Sequence, residues 1–223
     1  MNEMAERHMG LRELKKQQMR ERIGDTAWRL FAERGFDRVT VVEVARAAQV
    51  SEATVFNYFP TKEDLFYSRF EALGEQLVEA VCTRPPGESA LTAFRRRLLA
   101  TSGLLAQVEA GDTTALTRLR TVNRMIADSP ALQSREQRAL TACVDALCGA
   151  LAAESAAPDG DVMARVAADA LFGVHRALIA HVRRRVLSDE EPARLATEVR
   201  QLAERAFELL EGGLRDYGVG GRS

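Results

Sequence analysis

Thr40, Ser51 and Thr61 each stand directly before a short run with helical periodicity. A hydroxyl there can accept from a backbone N–H and cap the helix, and the same group donates at low cost to a phosphate oxygen. Glu52, Ala53, Thr54, Phe56, Asn57 and Tyr58 follow Ser51, and Lys62 follows Thr61. A carboxylate at position 52 repels phosphate and is productive beside a base only by accepting from cytosine N4. Lys62 falls in the first turn of a helix, where its charge opposes the macrodipole unless an anion is near, which favours a phosphate partner. Upstream, Arg7, Arg12, Lys15, Lys16, Arg20 and Arg22 face only Glu13 and Glu21, a local basic arm in a chain of net charge −1. Alone, such a run reads as a solvated face or a frayed terminus; beside the hydroxyls it reads as a polyanion contact.

The other reactive side chains point away from catalysis. His8, His175 and His181 occur without HExxH, GxSxG, Walker A or GxGxxG patterns, so no enzyme is expected. Cys82, Cys143 and Cys148 lack CxxC spacing and lie in apolar helical patterns, so they are expected as reduced core residues. Neither the cysteines nor the histidines have the i, i+4 spacing of helical metal ligands, and no metal or cofactor is expected. Arg120, Asn123, Arg124, Thr141, His175 and Arg176 are polar groups embedded among apolar ones, where they could line a ligand pocket and an Arg could pair with an anion. Asn123 and Arg124 also fit surface or helix-packing roles, and His175, a turn after Leu171 and before Leu178, equally fits a satisfied core histidine.

The elements that must position these groups are helical. Six prolines, fifteen glycines and 6% aromatics in 223 residues favour an all-α fold over a sandwich or barrel. Ile23, Ala27, Leu30 and Phe31 mark one face of a helix over about Arg12–Arg34, stopped by Gly35. Thr40 with Glu43 forms a capping box before Val41, Val44, Ala45 and Ala48, and Ser51 caps a third helix that Pro60 ends, leaving only Gln49 and Val50 for the turn. Thr61 opens a fourth helix that fades near Thr83 and Arg84. Five more are expected, about Ser89–Val108, Asp112–Ala127, Pro130–Ser155, Asp161–Leu187 and Pro192–Leu214, about nine in all. No run of signal-peptide or membrane-spanning length occurs, and a cytoplasmic location is expected.

A long helix followed by two short ones about a very tight turn makes a helix-turn-helix, whose second short helix, here Ser51–Phe59, enters the major groove. Its apolar edge, Val55 and Phe59, faces inward and leaves Glu52, Ala53, Phe56 and Asn57 outward, although Phe56 and Tyr58 could also be core aromatics. The stretch RIGDTAWRLFAERGFDRVTVVEVARAAQVSEATVFNYFPTKEDLF, Arg22 to Phe66, resembles the DNA-binding domain of TetR-family transcriptional regulators almost without interruption. The resemblance implies base contacts at Glu52, Ala53 and Phe56, and phosphate contacts at Thr40, Ser51, Thr54, Asn57, Tyr58 and Lys62.

It further implies a helix-turn-helix domain over residues 12–66 and a helical ligand-binding and dimerisation domain over 67–216, with 1–11 and 217–223 flexible. A homodimer on a palindromic double-stranded operator, repression, and release by a small-molecule effector follow as expectations. The dimer would use the last two long helices through Val166, Ala170, Val174 and Ala177 with Leu195, Val199, Leu202 and Leu209; such faces could equally be internal core. Leu119–Leu132 is similar to members with acyl-CoA-like ligand domains, so the effector is expected to be acyl-CoA-like or another apolar or anionic compound.

Overall fold

A computed structural model describes residues 2–68, 73–100, 106–108, 110–154, 160–188 and 194–213, and no strand occurs among them. The helices are α1 (Asn2–Arg34), α2 (Val41–Ala47), α3 (Glu52–Tyr58), α4 (Lys62–Tyr67), α5 (Leu73–Cys82), α6 (Ala90–Leu99), α7 (Thr113–Asp128), α8 (Pro130–Glu154), α9 (Gly160–Leu187) and α10 (Leu195–Gly212). They fall into two compact units: residues 1–71 with 125–133, and residues 72–124 with 134–223.

The N-terminal unit is built around aromatic rings. Phe31, Phe36 and Phe66 lie within 5.2 to 6.2 Å of one another, and Tyr67 meets Phe66 edge-on at 5.1 Å. Ile23 and Ala27 of α1, Val44 and Ala45 of α2, Val55 of α3 and Leu65 of α4 are buried with them. Gly35 ends α1 at φ 85°, its N–H bonded to the Phe31 carbonyl, as the sequence predicts. The first helix, however, begins at Asn2 and not near Arg12, so the segment expected to be flexible continues α1. Glu, Ala, Arg and Met dominate residues 2–9, and one glycine at position 10 is too weak a breaker to start the helix afresh. The expected flexible tail 217–223 lies outside the described residues.

The same unit takes in the corner between α7 and α8, which the sequence-based boundary at residue 66 assigned elsewhere. Met125, Ile126, Ser129 and Leu132 are buried there. The Tyr67 hydroxyl donates to the Leu132 carbonyl at 3.2 Å and the Ser129 hydroxyl to Asp37 at 3.0 Å. Contacts more than sixty residues apart leave no local pattern.

The other unit packs α5, α6, α8, α9 and α10 around Leu77, Val81, Phe94, Leu147, Leu171, Phe172 and Phe207. Phe94 meets Phe172 edge-on at 5.3 Å. A Cβ on Gly74 would stand 2.8 Å from the Cys143 sulfur, so glycine is what lets α5 approach α8 there. Cys143 and Cys148 pack half-buried against this core, but Cys82, at the last position of α5, is exposed and not the core residue expected. The fourth helix, expected as one run to Thr83, is described as α4 and α5 on either side of residues 69–72. The helix expected over Ser89–Val108 is capped by Ser89 and ends at Leu99, with residues 106–108 helical again.

Candidate nucleic-acid interface

The two short helices are anchored at their starts. Thr40 and Glu43 form a complete capping box, the Thr40 backbone N–H and hydroxyl both donating to the Glu43 carboxylate at 2.8 and 2.9 Å. Arg34 reaches the same carboxylate at 2.7 Å. The Thr40 backbone N–H, then Arg34 and the Thr40 hydroxyl, hold the Glu43 carboxyl down at about 2. Ser51 caps α3 by accepting from the Thr54 N–H at 3.1 Å, and its hydroxyl shares one proton with that of Thr54 at 2.8 Å. Two hydroxyls need only one proton for that bond, so one donor of the Ser51–Thr54 pair stays available to an outside acceptor. The Thr40 hydroxyl proton is already committed to Glu43, so that side chain serves as a cap.

The turn between α2 and α3 is closed by Gln49 at φ 55° and by the Val50 N–H bonded to the Ala45 carbonyl at 2.9 Å. Val55 and Phe59 point inward, as expected. Glu52, Ala53, Phe56 and Asn57 are exposed. Phe56 keeps 47% of its surface in solvent and is no core aromatic, whereas Tyr58 is half-buried. Val42 of α2, off the buried stripe of that helix, is 54% exposed, a site the sequence reading did not single out.

Two basic residues are placed by tertiary contacts. Arg20 donates to the Tyr58 carbonyl at 2.8 Å and lies over the Phe59 ring at 4.5 Å, so it holds the end of α3 against α1. Lys62 donates to the Phe36 and Val39 carbonyls, each at 3.1 Å, with its ammonium 4.1 Å from the Phe36 ring centroid. The Lys62 charge, expected to meet phosphate, is met from within, by the chain between α1 and α2. The first turn of α4 also carries Glu63 and Asp64, which suit its macrodipole.

The six residues proposed for a ligand are placed unequally. Asn123 is buried, donating to the Leu119 carbonyl at 2.8 Å and accepting from Arg183 at 3.2 Å, while Arg183 clasps Glu136 at 2.7 and 3.1 Å. Arg120 is half-buried; Arg124, Thr141 and Arg176 are exposed, and the Thr141 hydroxyl returns to the Gln137 carbonyl. His175 is 5% exposed, edge-on to Phe172 at 5.9 Å, and its buried Nδ1 has no hydrogen-bond partner. Burial pushes its imidazole down to about 4, so it is neutral at pH 7. A satisfied core histidine it is not. A depression of about 390 Å³ on α10, between Glu198 and Glu208, touches none of the six.

Among the described residues no group of three His, Cys, Asp or Glu could hold a metal ion, and no helix is long and apolar enough to cross a membrane. Of the apolar positions expected on a dimer face, Val166 is 59% exposed and Ala177 exposed, but Val174 and Leu195 are buried within their own unit.

Residues 23–68 match the family described as bacterial regulatory proteins, tetR family. Over 85 residues the chain is 33% identical to the HTH-type transcriptional regulator TcmR of Streptomyces glaucescens, covering 38% of each chain. Over 46 residues it is 50% identical to the HTH-type transcriptional regulator LuxR of Vibrio harveyi, covering 21% of this chain and 22% of that one. The matches thus span well under two thirds of these relatives. Among solved structures, NalD, the secondary repressor of the MexAB-OprM multidrug efflux pump in Pseudomonas aeruginosa, aligns at a TM-score of 0.49 with 21% identity, over 87% of this chain and 96% of that one.

Proposed function

Since the chain belongs, through residues 23–68, to the TetR family of bacterial regulatory proteins, we propose that it binds a palindromic operator as a homodimer, represses transcription, and is released by a small-molecule effector. The observation that carries this is the capped pair α2 and α3, which offers Glu52, Ala53, Phe56 and Asn57 to solvent on a helix of groove-reading size. In this reading Glu52, Ala53 and Phe56 meet base edges. Ser51, Thr54, Asn57 and Tyr58 meet phosphates, with Thr40 and Lys62 supporting the geometry from behind. A DNA partner puts its work in the cytoplasm.

An effector site in the C-terminal unit is supported by His175, whose neutral, buried Nδ1 lacks a partner that a ligand could supply. The exposed apolar side chains Val162, Met163 and Val166 on α9 support self-association. Effector and operator affinities are coupled reciprocally, so a releasing compound binds the DNA-bound protein less well by the same factor.

Fluorescence anisotropy on the DNA flanking the gene for this protein, beside scrambled DNA, tests the reading. Preference of the order of 10³-fold for the flanking DNA, weakening by about 0.9 log units per phosphate for each tenfold rise in salt, is expected. Equal affinity for both duplexes would contradict it.

A further inference from the structure

The helix that reads bases, Glu52–Tyr58, contains neither lysine nor arginine. Guanine is read in the major groove chiefly by a bidentate cation on O6 and N7. Nothing on α3 can make that contact. What the helix does present is a carboxylate, a carboxamide and an apolar pair. Ala53 and Phe56 are three residues apart and so share one face, and both are exposed. Phe56 is the largest exposed apolar side chain of this segment. On the floor of the major groove the one apolar feature is the C5-methyl group of thymine.

Extending the DNA-binding reading above, we propose that this protein reads its operator chiefly through thymine methyl groups, with Phe56 and Ala53 as the contacting pair and no guanine-specific contact from α3. Glu52, an acceptor only, suits the amino group of cytosine N4 and repels the acceptor atoms of guanine and thymine at that position. Exposure of a phenyl ring, of no use against phosphate, is accounted for once a methyl group fills the space against it.

Deoxyuridine tests this, because it removes the methyl group and leaves every hydrogen-bonding atom of thymine in place. The full-length protein selects binding duplexes from a random double-stranded pool, and the winning duplex is remade with deoxyuridine at each thymine in turn. Wild-type binding is expected to weaken about fourfold for each contacted methyl removed, while at the thymine that Phe56 meets Phe56→Ala binds the thymidine and deoxyuridine duplexes within about twofold of each other. Equal binding of thymidine and deoxyuridine duplexes at every position would overturn the proposal while leaving the regulator reading intact. A pool that yields no enriched duplex would overturn the regulator reading and the proposal with it. The DNA-side change leaves the protein untouched, so the result stands whether or not the variant folds.

Discussion

Lys62 shows how one residue can be read two ways and then separated by measurement. If its ammonium serves the Phe36 and Val39 carbonyls, Lys62→Met leaves both without that donor and lowers unfolding free energy by about 1–3 kcal/mol. If it met phosphate instead, stability would hold and the salt slope of DNA binding would fall by about 0.9. Urea unfolding and a salt titration of the same variant decide between these outcomes. Glu43 is the acid-sensitive counterpart. Its carboxyl is held near 2, below its usual 4.5, so the stability it supplies is present above pH 4.5 and is lost as pH falls from there toward 2. Glu43→Gln should melt lower at pH 7, and its difference from wild type should shrink over that window. His175 titrates in a separate window. Its folded value near 4 lies below the ordinary 6.5, so the unfolded chain takes up the proton first and stability falls as pH drops from 6.5 toward 4. His175→Leu should remove a loss on the order of 2 kcal/mol between pH 7 and 5, read by urea melts at both, and should cost little at pH 7 because no hydrogen bond to Nδ1 is broken.

At the scale of elements, the turn between α2 and α3 stores strain. Gln49 sits at φ 55°, where a side chain is disfavoured and glycine is not. Gln49→Gly should therefore raise unfolding free energy by about 0.5–1 kcal/mol, seen as a melting point a few degrees higher; a lower melting point would mean that the glutamine side chain contributes something its backbone strain conceals. The elements themselves were largely legible in the sequence. The capping box at Thr40, the Ser51 cap, the Gly35 stop and the starts of α6 and α7 all rest on interactions within four residues, which sequence patterns record. The outward set Glu52, Ala53, Phe56 and Asn57 was legible for the same reason, since a single helix face decides it. What was not legible depends on distant contacts. Lys62 meeting Val39, Arg20 meeting Tyr58, Arg183 meeting Asn123 and Glu136, and Ser129 meeting Asp37 join residues 23 to 92 apart in the chain, and no periodicity marks them.

For the whole molecule, the exposed face of α9 distinguishes surface from core among positions that hydrophobicity alone could not rank. Val166 is exposed while Val174, two turns on, is buried, so only the former is free to meet a second copy. Val166→Asp should leave the melting point near that of wild type and shift the protein toward monomer by light scattering at micromolar concentration. A monomeric wild type would remove the homodimer from the account. A dimer also sets the geometry on DNA, because two copies of α3 read half-sites spaced by about one helical turn or a multiple of it. Hydroxyl-radical footprinting of fragments enriched from pooled genomic DNA tests that whole arrangement most directly. Enriched fragments are expected to carry two protected half-sites related by two-fold symmetry and one or more whole turns apart, lost as salt rises. Fragments enriched no better than scrambled DNA, or a footprint without symmetry, would contradict it.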